Sequence, residues 1–393
     1  MSSIALVDGN DFFVSCERVF NPKLLKRPVA ILSSNDGCII ARSPEVKALG
    51  IPMGAPLFEW REFCERHGVA LLSSNFALYA DLSRRMMTIL EEESAHIEVY
   101  SIDEAFVEIE EPKRVRQKIL QWTGIPVSIG VAKTKTLAKV ANHIAKKRGS
   151  GICTDPFPYL EDFPVEEVWG IGRRLAQRLA RHGVFTVGEL LKMEERHFNV
   201  TVKRTVWELK GMPCLPICDE SVSKQSIMTS RTFGTPITTE GELTEAIAAY
   251  AQRAAKKLRE EKSLASWLQL FAHTKEVGTF STAVTFSMPT DYTPDLIQYA
   301  LGCLNFCPAT YKKVGVLLGG LVPRDTIQYD LFCKPLAEKK KMAQATMDAV
   351  NAKFGFEVLS YAKTGTKRAW KMQRNFCSPR YTTQWKEILT ISI

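Results

Sequence analysis

The sequence lacks both the cysteine spacing of a zinc knuckle and any long hydrophobic run. Its ten cysteines include no CxxC pair, and the closest pattern, "CERH" at 64–67, has no second half. Reduced, mostly buried thiols are therefore expected. The longest apolar stretch, "VGVLLGGLV" at 314–322, is too short to span a bilayer. Asp8 interrupts the only early apolar run, and no basic region precedes it. We therefore expect no signal peptide, no membrane association and a cytoplasmic location.

Acidic residues are scarce in two parts of the chain. Residues 334–393 contain 12 Lys and Arg against 4 Asp and Glu, a net of +8 in a chain whose net charge is +9. The segment 133–148, "KTKTLAKVANHIAKKR", contains no acid at all. Solvated helix faces usually mix both signs, so this asymmetry indicates a polyanionic partner.

The length of 393 residues and a hydrophobic content of 45% are typical of two to four ordinary domains. Residues 1–155 have the pattern of an α/β unit, residues 160–215 are predicted to be helical, and 229–333 to form an α+β domain. Strands are expected at 3–7, 28–34, 37–41, 97–110 and 125–132, and helices at 43–50, 76–93 and 134–147. Asp36-Gly37 predicts a hairpin between two of these strands.

Two adjacent acids interrupt the strand-forming stretch "VYSIDEAFVEI" at 99–109. A strand would send Asp103 and Glu104 to opposite faces, whereas a hairpin turn lets both face one side. Asp8 ends the first predicted strand, and a shared sheet could bring it beside them. Three converging carboxylates repel each other unless a cation lies between them, and hard ions such as Mg²⁺ prefer oxygen ligands. Solvated turn acids are the alternative.

A second motif lies in "VEEVWGIGRRLAQRLARHGVFTVGELL" at 165–191. Gly170-Ile171-Gly172 precedes an amphipathic helix that carries four arginines. Glycines let a backbone approach phosphate closely, and the N–H groups of a helix start attract it. The pattern resembles a helix-hairpin-helix that binds the DNA backbone, and the alternative is a helix pair inside a core.

A third motif, "QYDLF" at 328–332, follows the α+β domain. It could form an edge strand that packs Leu331 and Phe332. It could also be a short peptide that anchors these two side chains in a partner's pocket.

Seven segments resemble the Y-family of lesion-bypass DNA polymerases, and the closest likeness is to the UmuC-type catalytic subunit of bacterial DNA polymerase V. They occur in the family's order between residues 6 and 383. The segments are "LVDGNDFFVSCE" (6–17), "SNDGCIIARSPEVKALGIPMG" (34–54), "SSNFALYADLS" (73–83), "YSIDEAF" (100–106), "GVAKTKTLAKVANHIAKK" (130–147), "VWGIGRR" (168–174) and "SPRYTT" (378–383).

The resemblance implies a multidomain α+β fold shaped as a right-hand polymerase. Its expected parts are a catalytic palm at 1–11 and 73–158, fingers at 12–72, a helix-hairpin-helix thumb at 159–218, a linker at 219–228, a DNA-binding α+β little finger at 229–333 and a basic, partner-binding tail at 334–393.

By the same resemblance, Asp8, Asp103 and Glu104 would bind two Mg²⁺ ions, with the backbone carbonyl of Gly9 as a further ligand. One ion would lower the pKa of the primer 3′-hydroxyl, and the other would hold the incoming triphosphate. Residues expected to contact the nucleotide are Asp11, Phe12 and Phe13 through backbone N–H groups, and Arg42, Lys47 and Lys146 through side chains.

Phe13 matches the steric-gate position, where a bulky ring blocks a ribose 2′-hydroxyl. The family often has Tyr there, so Phe keeps the bulk and loses the hydroxyl. Pro44 is a second departure, because many relatives have Tyr at that position.

The remaining implied contacts are with macromolecules. Gly170, Gly172, Arg173 and Arg174 would bind primer–template DNA, and Gln328, Leu331 and Phe332 would bind a β-type sliding clamp. The tail's partners would be a cleaved UmuD-type subunit and the RecA filament.

The implied function is error-prone translesion synthesis in DNA repair and the SOS response, by addition of dNTPs to a primer 3′-hydroxyl. A decayed polymerase that only binds DNA and the clamp is the main alternative, although all three carboxylates and both phosphate lysines are present. A two-metal nuclease is another, but it leaves the finger motif and the gate aromatic unexplained.

Overall fold

The structure is a computed structural model that describes residues 3–194, 199–218, 223–326, 337–355 and 357–390. Its contacts separate two units, one formed by residues 1–221 with 375–393 and the other by residues 222–374. Within the described ranges, no helix is both long enough and apolar enough to cross a membrane.

A five-stranded sheet forms the centre of the first unit. Its strands are β1 (Ile4–Gly9), β5 (Ile97–Val99), β6 (Glu104–Val107), β7 (Val127–Ala132) and β8 (Ile152–Cys153), in the order β5-β6-β1-β7-β8. β1 pairs antiparallel with both β6 and β7, and this places the first strand in the middle of the sheet. The predicted hairpin at 97–110 is confirmed, with Asp103 in its turn and Glu104 as the first residue of β6.

Side chains of β1 alternate between two cores. Ala5 and Val7 belong to a core with helices α1 (Phe12–Phe20), α4 (Phe76–Glu93) and α5 (Pro112–Thr123). Ile4 and Leu6 belong to a core with α6 (Lys135–Lys147) and the helices that follow it. Since alternate residues share a face, Asp8 continues the face of Ile4 and Leu6 toward α6.

The region expected to be the fingers has its own small sheet, in the order β3-β2-β4. Its elements are β2 (Val29–Leu32), β3 (Ile39–Arg42), β4 (Ala70–Ser73), α2 (Pro44–Ala48) and α3 (Leu57–Arg66). The hairpin between β2 and β3 is confirmed, but its left-handed residues are Asn35 and Asp36, whereas Gly37 has φ −77°. Phe12 and Val29 share a core with Ala5, so the packing is continuous across the expected palm–fingers boundary, which stays a prediction.

Three short helices follow the five-stranded sheet: α7 (Arg173–Ala180), α8 (Val187–Lys192) and α9 (Val200–Leu209). Their apolar faces pack on the α6 side of the sheet. The prediction that 160–215 is helical is therefore confirmed for the described residues, which contain no strand there.

The second unit is a four-stranded antiparallel sheet covered by helices, in the order β11-β10-β12-β9 with β13 beside β10. Its elements are β9 (Ser226–Ile237), α10 (Glu240–Glu260), β10 (Ser263–Thr274), β11 (Thr279–Thr290), α11 (Thr293–Gly302), β12 (Tyr311–Gly319), β13 (Val322–Pro323) and α12 (Glu338–Phe354). Arg259 on α10 bonds Asp348 on α12 at 2.6 Å, and Trp370 is part of the core. The first part of the tail thus packs with the α+β domain, whereas residues after 374 pack with the first unit.

Candidate active site

Asp8 and Glu104 face each other across neighbouring strands. Their Cα atoms are direct partners in the antiparallel pairing of β1 with β6. Residues directly opposite in such a pair share a face of the sheet, with Cβ atoms about 5 Å apart. The prediction that a shared sheet brings Asp8 beside the hairpin acids is confirmed for this pair.

Asp103 belongs to the turn that leads into β6. The Gly9 N–H donates to the carbonyl oxygen of Asp103 at 2.8 Å, which fixes the turn against the end of β1. The Ser101 hydroxyl donates to Asp103 Oδ1 at 2.7 Å and orients that carboxylate. The charge of Asp103 is close enough to raise the pKa of Asp8, so the three acids form one electrostatic cluster.

Two lysines of α6 reach this cluster from the helix packed over it. Lys146 Nζ donates to Asp8 Oδ1 at 2.6 Å, and Lys139 Nζ donates to both oxygens of Glu104 at 3.1 Å. Residues seven apart lie on one helix face, two turns from each other. Gly130 on β7 permits this approach, because an added Cβ would lie 2.2 Å from the backbone nitrogen of Asn142 on α6.

The protonation of Asp8 reflects its buried position. Burial is the main cause that raises the pKa of Asp8 from its usual 3.8 to about 6. The neighbouring charges of Asp103 and Glu104 contribute to this rise, and the ion pair with Lys146 opposes it. A carboxylate in this state gains much from an added cation.

The donor set fits a hard divalent cation in its chemistry, since three carboxylates supply only oxygens. In the part of the chain that the structure describes, no three His, Cys, Asp or Glu side chains are gathered closely enough to bind one ion. The lysine ammonium groups neutralise Asp8 and Glu104 instead. Binding of a cation would require the acids to exchange these partners.

Lys139 also lies in a cage of three aromatic rings. Its Nζ is 4.3 Å from the ring centre of Tyr100, 5.6 Å from that of Phe106 and 5.4 Å from that of Trp169. Trp169 Nε1 donates to the Tyr100 hydroxyl at 3.0 Å. These contacts hold Lys139 over Glu104 and connect the acid to the residue before Gly170.

A cavity of roughly 380 Å³ is lined in part by Lys146, the partner of Asp8, and six of its ten lining residues are polar or charged. Its lining residues are Asn10, Asp11, Pro44, Lys47, Arg116, Ser128, Ala145, Lys146, Gly149 and Gly151. It brings together Lys47 and Lys146, which lie about a hundred residues apart in sequence. Lys47 bonds the Asp11 carboxylate, so both lysines have an acid as partner.

The sequence reasoning missed Asn10, Arg116 and Ser128. The Ser128 hydroxyl donates to Asn10 Oδ1 at 2.8 Å, and Arg116 Nε donates to the Val127 carbonyl at 3.0 Å. Arg116 lies on α5, outside every motif, and only its place beside the lysines marks it.

The start of α1 forms one edge of the cavity. Asp11 has a left-handed backbone, with φ 44° and ψ 48°, and immediately precedes the helix. Non-glycine residues in this conformation are strained and concentrate at functional sites. The first N–H groups of a helix lack partners within it and attract anions. Phe12 points into the core with 3% exposure, so only its backbone can face a ligand.

Phe13 lies in a stack of aromatic rings. Its ring is 4.5 Å from that of Tyr79 at an interplanar angle of 15°, and it meets Phe76 edge-on at 6.0 Å. Tyr79 is fully buried, whereas Phe13 is half-buried. The contacts with Tyr79 and Phe76 therefore fix the Phe13 ring, and part of that ring is exposed to solvent.

Arg42 is not brought to the lysines. Its Nη1 donates to the Ile51 carbonyl at 2.6 Å, and its buried Nε has no hydrogen-bond partner. It does not line the cavity. Its expected contact with the nucleotide remains a prediction.

The glycine turn before α7 has the backbone that the helix-hairpin-helix interpretation needs. Gly170 has φ 90°, in the left-handed region that favours glycine, and Gly172 immediately precedes the helix. Gly172, Arg173 and Arg174 are exposed, while Ile171 is buried in the core. The turn therefore offers backbone N–H groups and two cations to solvent.

In the second unit, cations gather on β9 and α10. Burial lowers the pKa of Arg231, and the nearby charges of Arg253 and Arg374 lower it further. Burial also lowers the pKa of Lys257, and the charge of Arg231 contributes to this shift. Such a cluster favours an anionic ligand. The clamp motif at 328–332 lies outside the described residues.

Models of known protein families match four segments. The impB/mucB/samB family matches residues 7–143, its C-terminal domain residues 224–331, and the HHH motif of the same family residues 157–184. A domain of unknown function matches residues 343–391. The HHH match confirms the helix-hairpin-helix interpretation as a motif.

Relatives are similar over almost their whole length. Protein UmuC of Salmonella typhimurium is 40% identical, over 98% of this chain and 99% of its own. Protein ImpB of Salmonella typhimurium is 37% identical over 98% of both chains. DNA polymerase IV 1 of Bacillus subtilis is 26% identical, over 93% of this chain and 94% of its own.

Solved structures agree in fold. A Y-family DNA polymerase chimera of Dbh and Dpo4 matches with a TM-score of 0.65 and 20% identity, over 82% of this chain and 99% of its own. DinB from Sulfolobus solfataricus matches over the same shares with a TM-score of 0.54. This chain therefore has the fold of the Y-family DNA polymerases, and the predicted α+β right-hand architecture is confirmed.

Proposed function

The chain belongs to the impB/mucB/samB family, within the Y-family of DNA polymerases, and on that premise we propose that it performs translesion DNA synthesis in the SOS response. The reaction is in-line attack of a primer 3′-hydroxyl on the α-phosphate of a dNTP. One observation carries the proposal: Asp8, which faces Glu104, accepts a hydrogen bond from Lys146, and Lys146 lines a cavity together with Lys47.

Asp8, Asp103 and Glu104 would hold two Mg²⁺ ions, with the Gly9 carbonyl as a further ligand. When bound, such ions stabilise the attacking and leaving oxygens of a phosphoryl transfer. The raised pKa of Asp8 and the two lysine partners support a site that is stabilised by added positive charge.

Lys47 and Lys146 bind the triphosphate in this scheme. Each donates to a carboxylate, and a phosphate oxygen can replace that carboxylate as acceptor. The N–H groups of Asp11, Phe12 and Phe13 add donors at the start of α1, and Arg42 would lie over the nascent base pair. Positive side chains there offset the charge that develops on pyrophosphate as it leaves.

Phe13 acts as the steric gate. Its ring is fixed against Tyr79, so it cannot turn aside easily to admit a ribose 2′-hydroxyl. Phe in place of Tyr retains the bulk that this exclusion requires.

DNA is held by the exposed turn at Gly170 and Gly172, with Arg173 and Arg174, and by the second unit. The backbone N–H groups of such a turn and its two cations bind phosphate without reading bases. The further partners we propose are a β-type sliding clamp at Gln328, Leu331 and Phe332, a cleaved UmuD-type subunit and the RecA filament. The place of action is the cytoplasm.

Primer extension on undamaged template, with each dNTP in turn, tests the proposal. Extension by the base complementary to the template, lost in Asp103→Ala with DNA binding retained, is the expected result. If the wild type binds DNA but does not extend the primer, the alternative of a decayed polymerase that only binds DNA and the clamp is favoured. Shortening of the primer would favour the nuclease.

A further inference from the structure

The segment 375–381, called here the C-terminal strap, pairs with the edge of the finger sheet. Cys377 forms a parallel bridge with Ser73, the last residue of β4. The Ser73 N–H donates to the Phe376 carbonyl and the Phe376 N–H donates to Ser73 Oγ, each at 3.0 Å. The strap thus extends the sheet at β4, which among the strands that the structure describes pairs only with β2.

Asp36 fixes the start of the strap. Its Oδ2 accepts from the Asn375 N–H at 2.8 Å, and its Oδ1 accepts from Ser73 Oγ at 2.5 Å. Asp36 is buried with a left-handed φ of 51°. A non-glycine residue keeps this conformation only where its surroundings enforce it. The β2–β3 turn is therefore shaped to hold the strap.

The strap then contacts α1, which carries Phe13, and α4, which carries Tyr79. Asn75, which caps α4, donates through Nδ2 to Ser378 Oγ at 3.0 Å and to the Pro379 carbonyl at 3.1 Å. Tyr381 stacks on Phe20 of α1, with ring centres 4.8 Å apart and an interplanar angle of 8°.

Glu17 joins the strap to the gate. Its side chain is buried between α1 and α4, and its Oε1 accepts from the Tyr79 hydroxyl at 2.7 Å and from Ser378 Oγ at 3.0 Å. Burial raises the pKa of Glu17 and that of Tyr79, so the Tyr79 hydroxyl keeps its proton and remains a donor. Two hydroxyls thus share one buried acceptor, and one of them comes from the strap.

Tyr79 passes this constraint to Phe13. The two rings are stacked, and Phe13 lies one turn before Glu17 on the same face of α1. Asn75 likewise lies one turn before Tyr79 on α4. A shift of the strap therefore changes both the helix positions and the bond that orients the Tyr79 ring.

We propose that the C-terminal strap is part of nucleotide selection: Ser378 and Glu17 fix Tyr79, and Tyr79 fixes the position of Phe13 against the sugar of the incoming nucleotide. The inference rests on the proposed function, because it assigns a positioning role behind the gate. It gives a function to residues 375–381 of the domain of unknown function, in which Ser378 lies 361 residues from Glu17 in sequence.

The test is single-nucleotide insertion with a dNTP and with the matching rNTP, expressed as the ratio of the two kcat/KM values. Ser378→Ala removes the strap's donor to Glu17, and Tyr79→Phe keeps the ring but removes its hydroxyl. Each should raise the relative use of rNTP about threefold to tenfold, the size expected for a partial change of pocket shape. The double variant should gain less than the product of the two, because both act through Glu17.

Two controls separate positioning from general stability. Ser378→Thr retains a hydroxyl and should restore the wild-type ratio. Arg380→Ala alters the same strap at a side chain that bonds only Glu387 among the described residues, and should leave the ratio unchanged. A loss of stability alone would lower both kcat/KM values equally.

The outcomes distinguish a failure of the strap inference from a failure of the proposed function. If Phe13→Ala admits rNTPs while Ser378→Ala and Tyr79→Phe leave the ratio at its wild-type value, the strap has no part in selection and the proposed function stands. A wild-type chain that extends no primer would overturn the proposed function and this inference with it.

Discussion

Asp8 should destabilise the protein in the absence of metal, and its replacement by Asn should reveal this. The carboxylate is largely buried, and its pKa is raised from 3.8 to about 6. The folded state therefore binds the Asp8 proton more tightly than the unfolded state does. Above pH 6 the charged form is imposed on both states, and folding bears the cost of burying it.

The size of this cost follows from the shift. Each pKa unit is worth about 1.4 kcal/mol, so the rise from 3.8 to about 6 corresponds to roughly 3 kcal/mol at pH 7.5 as an upper bound. Asn keeps the shape and an acceptor for Lys146 but carries no charge. We expect Asp8→Asn to raise the free energy of unfolding of the metal-free protein by about 1 to 3 kcal/mol.

The dependence on pH has a defined sign. Because the pKa of Asp8 is higher in the folded state, the stability of the wild type falls as the pH rises from 3.8 to about 6. The stability that Asp8→Asn adds should therefore decrease as the pH is lowered through this window. Urea unfolding in the presence of EDTA measures the effect. Hydrogen exchange at the amides of β1 and β7 reports the stability of the unit that contains Asp8. Asp162→Asn, at an exposed acid, is the matched control and should change stability by less than about 0.5 kcal/mol.

Mg²⁺ should stabilise the wild type and thereby reduce the difference in free energy of unfolding between Asp8→Asn and the wild type. An ion at ten times its Kd adds about 1.4 kcal/mol to a protein that binds it only when folded. An Asp8→Asn variant that is no more stable than wild type at pH 7.5 without metal would refute the burial cost. A difference that Mg²⁺ leaves unchanged would refute the metal assignment of Asp8.

Three further results are expected. Phe13→Ala should admit rNTPs, measured by single-nucleotide insertion, and continued exclusion of rNTPs would remove Phe13 from the gate role. Arg173→Ala with Arg174→Ala should weaken DNA binding equally on all sequences and lower the slope of log K against log salt by about 2, so an unchanged slope would argue against phosphate contacts there. Alanine at both Leu331 and Phe332 should weaken binding of a β-type clamp by about 2 kcal/mol or more in calorimetry, with Gln328→Ala as a milder comparison, whereas equal binding would exclude the motif.

Local signals in the sequence predicted several elements well. Helix α4 begins and ends at the predicted residues 76 and 93, because Asn75 caps it and its apolar spacing continues to the end. Ser43 caps α2 as expected, with its hydroxyl accepting from the Val46 N–H at 3.4 Å. Asp103 lies in the hairpin turn and Glu104 begins β6, in agreement with the hairpin that the strand pattern predicted.

Other features depend on contacts that no local pattern encodes. The β2–β3 turn has its left-handed residues at Asn35 and Asp36 because Asp36 is bonded to Ser73 and Asn375, which are remote in sequence. Arg116 joins the cavity through the packing of α5 on β7.

The tail shows the same limit. Its weak periodicity predicts little, yet α12 spans Glu338–Phe354, and the C-terminal strap packs through hydrogen bonds, one ring stack and the apolar contact of Phe376. Such bonds join polar residues that have no repeating spacing, so only the folded chain reveals them.

Primer extension across an abasic site tests the central claim most directly. Mg²⁺, dNTPs, a β-type clamp, RecA filament and a processed UmuD-type subunit would be supplied, and the wild type compared with Glu104→Gln, which keeps the length of the side chain but removes its charge. The account predicts extension past the lesion by the wild type and none by Glu104→Gln, with equal DNA binding by both. Extension by Glu104→Gln at the wild-type rate would contradict the assignment of the chemistry to the acids of β1 and β6.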